Sequence, residues 1–263
     1  MDMRPNRLLE KLRAGQVVTG LVNTYPASGI IEGMCPGWDF VWIDGQHGEM
    51  SYQAVLHAMQ TADGVNTATI VRVPGHEPGI LGPYADLAPD AIMVPMVNTR
   101  EEAAAIVRAL RFPPKGARSY GGRRIIDLGG RNFYREHELM ILAQIETVEA
   151  VGNAAAIAGT DGIDGLFFGP DDMKCQLAIP IDTAMVEEPR LLAALRQTGR
   201  AAAAAGKICG TVAANPAAVR ASLDVGCRLL AAGADSAFLR QGSFATREWI
   251  RGVIGERPSK EQS

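Results

Sequence analysis

Residues 91–111 read AIMVPMVNTREEAAAIVRALR, and the two halves of this stretch follow different rules. Positions 91–97 form an apolar run of strand length with no polar side, as expected for a strand covered on both faces of a parallel sheet. From Thr99 the pattern changes. A threonine suited to an N-cap, two acids in the first turn and apolar residues at helical spacing predict a helix over 99–111.

Outward from this unit, the same alternation fills the chain. Strand candidates fall at 17–24, 39–46, 68–73, 91–97, 139–145, 163–168, 207–213 and 228–232, and helical stretches such as 189–205 lie between them. Eight such alternations predict an α/β fold, a single closed (β/α)8 TIM barrel domain over residues 1–263. An open doubly wound sheet is the alternative, but no Gly-x-Gly-x-x-Gly follows the first strand. Two connections, 112–137 and 170–187, are read as long loops with a functional or interfacial role.

With 47% apolar and 21% charged residues, the chain can bury a large core. Its net charge of −3 supplies no basic field for nucleic acid or an anionic membrane surface, so a small-molecule partner is expected. The opening MDMRPNRLLEKLRAGQ lacks the apolar core of a signal peptide and no segment is long enough to span a bilayer, so a cytoplasmic location is expected. Cys35, Cys175, Cys209 and Cys227 have no zinc-type spacing and are read as reduced thiols, with Cys209 and Cys227 in the core.

In such a barrel the C-terminal strand ends form the active face. They carry Asp44 and His47 after strand 2, Arg72 after strand 3, Gln144 and Glu146 at strand 5, Asp171 and Asp172 after strand 6, Asn215 after strand 7 and Asp235 after strand 8. Each has a plain reading: Asp44 as a turn carboxylate, Arg72 as a surface arginine, Glu146 as a helix cap beside Thr147, Asp172 as a first-turn acid behind Pro170. Their convergence on one rim favours chemistry. Glu146 and Asp172 are hard oxygen donors suited to Mg2+ or Mn2+ rather than zinc. The backbone N–H groups of Asp171 and Asp172 in FFGPDDM can dock a substrate carboxylate. Arg72 can face a developing negative oxygen, and His47, oriented by Asp44, is a proton acceptor near neutral pH. Together these describe enolate chemistry on a 2-oxo acid.

FVWIDGQHG, IVRVPG, IMVPMVNTREEAAAIVRALRFPPKGARSYG, AQIETVEAV and IDGLFFGPDDM, in this order, resemble the HpcH/HpaI family of metal-dependent 2-oxo acid aldolases, over about residues 15–240. The resemblance implies a phosphoenolpyruvate/pyruvate-type barrel and a class II aldolase that cleaves 4-hydroxy-2-oxo acids to pyruvate, or a close analogue such as hydroxypyruvate, and an aldehyde. It implies a divalent metal, Mg2+ or Mn2+ with Co2+ as an option, no organic cofactor, and a homohexamer built as a trimer of dimers. In that assembly a C-terminal helix at about 236–254 is exchanged between subunits. Family members serve aromatic-acid or sugar-acid breakdown.

By the same resemblance Glu146 and Asp172 hold the metal, His47 is the base beside Asp44, and Arg72 stabilises the enolate. Gln144, Gly169, Asp171 and Asp172 contact substrate, while Asp86 and Tyr120 lie toward a neighbouring subunit. Lys174 and Arg123, with Arg124, depart from the family pattern and are expected to bear on specificity. A Schiff-base mechanism is disfavoured, since Lys207 only begins a strand and Lys174 lies beyond the end of one. The alternatives weighed are decarboxylation of oxaloacetate or lysis of a citrate- or malate-type thioester at the same site and, from a different class, a non-catalytic barrel that binds a sugar acid.

Overall fold

The computed structural model describes residues 5–255, so the reading of one domain over 1–263 extends at both ends outside the described residues. Eight parallel strands close into a barrel in sequence order. They are β1 (Val18–Asn23), β2 (Phe40–Asp44), β3 (Ala68–Arg72), β4 (Ala91–Val94), β5 (Met140–Ile145), β6 (Gly165–Phe168), β7 (Ile208–Val212) and β8 (Leu229–Ala234). Each falls on an expected segment, and the boundaries move by a few residues at most.

Helices return the chain between strands. α1 (Arg7–Arg13) precedes the barrel, and α2 (Ser28–Met34), α3 (Tyr52–Gly64), α4 (Pro78–Ala85) and α5 (Arg100–Leu110) follow the first four strands. The connection at 112–137, expected as a loop, instead contains α6 (Arg123–Gly129) and α7 (Phe133–Glu136). Then come α8 (Val148–Ala158), α9 (Pro170–Gln176) and α10 (Pro189–Ala204), with a short 3-10 turn at Met185–Glu187. The second expected loop, 170–187, is therefore largely helical as well. The barrel ends with α11 (Pro216–Asp224) and α12 (Asp235–Ile254). The expected start of α5 is confirmed in detail: Thr99 accepts from the Glu102 N–H, and the Glu102 carboxylate accepts from the Thr99 N–H, a complete capping box.

Side chains alternate between two cores, because successive strand residues point to opposite faces. Val41, Ile43, Val71, Ile92 and Ile141 pack outward against the helices. Phe40, Trp42, Ile70, Met93, Leu142 and Phe167 fill the barrel interior. A Cβ on Gly20 would come within 2.3 Å of the Phe40 ring, so the glycine makes room for that ring. Leu8, Leu9 and Leu12 of α1 join the interior cluster and plug the N-terminal end, although their surroundings in the sequence are polar.

Acids at that end staple neighbouring strands. Asp39, Asp90 and Asp164, each just before an even-numbered strand, accept from the backbone N–H of Thr19, Thr69 and Ile141 on the preceding odd-numbered strand, all at 2.8 Å. Cys209 and Cys227 are buried as expected, with their sulfurs 2.8 Å apart and both thiols free. No helix among the described residues is long and apolar enough to cross a membrane.

Candidate active site

The period-2 alternation explains why polar residues reach the barrel mouth. Continuing the inward set Phe40, Trp42 by two gives Asp44, Ile70 gives Arg72, and Met140, Leu142 gives Gln144 and Glu146. Asp44 and Arg72 are register partners across β2 and β3. The Arg72 guanidinium grips Asp44 in a fork, Nε to Oδ1 at 2.8 Å and Nη2 to Oδ2 at 2.6 Å, and lies 4.8 Å over the Trp42 ring. Burial opposes the charge on Asp44, but Arg72 and the N–H groups of His47 and Gln46 hold its carboxyl below the usual carboxylate range.

These contacts correct one expectation. The Asp44 side chain orients Arg72 and the turn backbone, where it accepts from the Gln46 and His47 N–H groups at 3.1 and 3.2 Å. It does not grip the His47 imidazole, which stands exposed at the rim.

Glu146 is 1% exposed, and its Oε2 is buried without a hydrogen-bond partner. Thr147 caps α8 by accepting from the Ala150 N–H, so the plain reading of Glu146 as that helix's cap does not hold. Burial and then the nearby Asp172 carboxylate push the Glu146 carboxyl up to about 7, against the opposing pull of Arg72 and of a hydrogen bond from the Met96 N–H. Met96 donates from a left-handed backbone conformation, φ 55°, uncommon for a residue with a side chain. Gln144 Oε1 is likewise buried and unpartnered. A Cβ on Gly169 would lie 3.0 Å from Glu146 Cβ and 3.2 Å from Gln144 Nε2, so a side chain there would crowd both and glycine leaves the space open.

The donor set fits a hard divalent cation: an orphaned buried carboxylate oxygen on Glu146, a second carboxylate raising its neighbour's pKa, and the buried, unpartnered amide oxygen of Gln144 near the end of β5, which Glu146 follows. No cluster of three or more His, Cys, Asp or Glu side chains that could hold a metal occurs among the described residues. Glu146 and Asp172 would therefore leave coordination positions to water and substrate.

Other expected residues lie elsewhere. Asn215 caps α11, and Asp235 is fully buried, tying α12 to the end of β1 through Asn23, Thr24 and Tyr25. Asp86 pairs with Arg118 at 2.7 Å. Tyr120 stacks on Phe133 and donates to the Arg131 carbonyl, so within one chain it stays with the 112–137 connection.

Lys174 is buried, and its ammonium donates to Asp171 at 3.0 Å and to the Ile181 carbonyl at 2.8 Å; as a free cation toward substrate it is corrected to an internal strut. Arg123 pairs with Asp127 on the surface, and Arg124 joins α6 to Asp63 and the Leu87 carbonyl. Sequence reasoning missed Trp42, which backs Arg72 and whose Nε1 is buried without a partner, and the Met96 N–H. The period-2 step from Asp44 carried the signal for Trp42; the backbone of Met96 left none.

A family model described as HpcH/HpaI aldolase/citrate lyase matches residues 29–241. The chain is 35% identical to a 4-hydroxy-2-oxovalerate aldolase of Novosphingobium aromaticivorans, over 97% of this chain and 99% of that one. It is 34% identical to a hydroxypyruvate/pyruvate aldolase of Cupriavidus necator, covering 76% and 75% of the two chains. Among solved structures, an HpcH/HpaI aldolase/citrate lyase family protein from Burkholderia cenocepacia superposes with a TM-score of 0.85 at 27% identity, over 95% of this chain and 100% of that one.

Proposed function

The chain belongs to the HpcH/HpaI aldolase/citrate lyase family, and from that premise we propose that it cleaves a 4-hydroxy-2-oxo acid into pyruvate, or hydroxypyruvate, and an aldehyde. It is a class II aldolase, a carbon–carbon lyase. The observation that carries the substrate reading is the buried Glu146 carboxylate, its Oε2 without a hydrogen-bond partner, beside Asp172 on a rim shared with Arg72.

Glu146 and Asp172 would hold a divalent cation, Mg2+ or Mn2+, which when bound polarises the 2-oxo group. The Arg72 guanidinium, fixed by Asp44 and by the Trp42 face, presents its remaining N–H groups to the oxygen that gains charge as the C3–C4 bond breaks. His47, at the open rim, accepts the proton of the 4-hydroxyl. The backbone N–H groups of Asp171 and Asp172 receive the substrate carboxylate, and Gly169, whose own N–H is held by the Ile145 carbonyl, contributes the space that admits the three-carbon half. The aldehyde half is met from outside the barrel, by Tyr120 and Asp86 of a neighbouring copy in a hexamer. The protein acts in the cytoplasm.

Pyruvate release from 4-hydroxy-2-oxo acids, with and without chelator, tests this in the native chain and in Glu146→Gln. Release that needs a divalent cation and vanishes in Glu146→Gln supports the reading. Release indifferent to chelator, or undiminished in the variant, overturns it. Oxaloacetate in the same assay measures decarboxylation through the same enolate.

A further inference from the structure

At the end of the barrel opposite the catalytic rim, a hollow of about 680 Å3 opens between α1, the end of α5, the 112–115 turn and the segments entering β5, β6 and β7. That volume is ample for a small organic molecule. The charge lining it is one-sided. Asp164 neutralises Arg111, and Glu138 pairs with Arg13. Lys115, Lys207 and Arg135 line the hollow with no acidic partner among the described residues, against Asp161 alone.

Arg118 forms part of the wall with its side chain only 3% exposed. Its Nη2 is held by Asp86 and its guanidinium stacks 4.8 Å from the Phe112 ring centroid, yet its Nε–H is buried with no acceptor. An unmatched charged donor in the interior is rare and unfavourable, and a ligand oxygen would satisfy it. Beside it, His137 donates to the Pro89 carbonyl, and burial, then the positive fields of Arg118 and Arg111, push its pKa down to about 4. Arg118 is balanced by Asp86 and His137 is held neutral, so among the described residues the unpaired positive charge of the hollow comes from Lys115, Lys207 and Arg135.

We propose that this hollow binds an organic phosphate monoester, with Arg118, Lys115 and Lys207 on the phosphate oxygens and Phe112, Pro113 and Tyr134 against the organic part. The three cations come from two separate stretches of chain, which suits a tetrahedral group with three acceptor oxygens better than a planar carboxylate with two. This end of a barrel does not carry the catalytic loops, so the site lies away from the chain's own catalytic rim, and it meets the residues turned toward a neighbouring copy through Asp86, which holds Arg118, and Tyr120, which packs on Tyr134.

Phenyl phosphate is the probe, added to the metal-loaded protein and followed by calorimetry and by the imidazole resonances of His137. Saturable binding that moves the His137 signals is expected. Affinity falls at least about tenfold in Lys115→Ala/Lys207→Ala, whose pyruvate release is unchanged, and benzoate binds at least about tenfold more weakly than phenyl phosphate. Arg72→Lys leaves the binding intact. No binding, unshifted His137 signals, full affinity in the double lysine variant, or loss confined to Arg72→Lys would overturn the proposal. Equal affinity for benzoate would overturn the assignment to phosphate.

Discussion

Asp44 and Arg72 form a buried fork at the barrel mouth, with side chains 4% and 9% exposed. Removing one partner of such a pair leaves an uncompensated charge, so Asp44→Asn is expected to lower stability by about 3–5 kcal/mol, read by urea unfolding. Arg72→Lys keeps a charge but loses the planar fork, and kcat for pyruvate release is expected to fall about 10²–10³-fold in a folded protein. Glu146 adds a pH dependence. Its pKa of about 7 lies above the ordinary 4.5, so across that window the folded chain keeps a proton that the unfolded chain has released. Stability of the cation-free protein therefore falls as pH rises from about 4.5 to about 7, and Glu146→Gln flattens that fall in a series of melts. Divalent affinity rises over the same range, because cation and proton compete for one carboxylate. The residues of this site were legible as polar groups at strand ends; their pairing was not. That Asp44 faces Arg72 instead of the His47 ring depends on the register of β2 against β3, and register is a property of two strands together.

At the scale of elements, the alternation of apolar runs and capped helices made the barrel readable, since a strand buried on both faces has a pattern that a surface helix does not share. α1 was hidden for the opposite reason. Its seven residues, RLLEKLR, are too few and too charged to mark it as core, and only the open end of the barrel makes Leu8, Leu9 and Leu12 interior. Asn6 fixes the plug by accepting from the Leu9 N–H and donating to the Asp90 and Glu138 carbonyls. Leu8→Ala should therefore lower stability by about 2–5 kcal/mol, as for any large buried side chain, while KM for the 2-oxo acid stays unchanged at the far end of the barrel. Thermal unfolding beside steady-state kinetics separates the two; a raised KM with an unmoved melt would show that the plug reaches the active end.

The whole molecule leaves one element without a core of its own. α12 runs for twenty residues, on the order of 30 Å, and Asp235 is its only buried residue. Leu239, Phe244, Trp249, Ile250, Val253 and Ile254 stand exposed, Trp249 at 61% and Val253 at 77%. Scattered apolar residues on a surface need no explanation, but a helix that presents several and buries almost nothing of itself has its stabilising contacts missing from the single chain. The barrel holds its first turn, through Asp235 and the Phe238 ring against Gly233. A second copy that covers this face would account both for the apolar stripe and for a helix that leaves its own barrel. Sedimentation velocity should find the native chain as an oligomer, and Trp249→Glu combined with Val253→Glu should shift it toward monomer because two charges cannot be buried unpaired at such a contact. If the rim then keeps its divalent affinity while pyruvate release falls, the assembly supplies the aldehyde side of the site; if release is unchanged in the monomer, each barrel is catalytically complete.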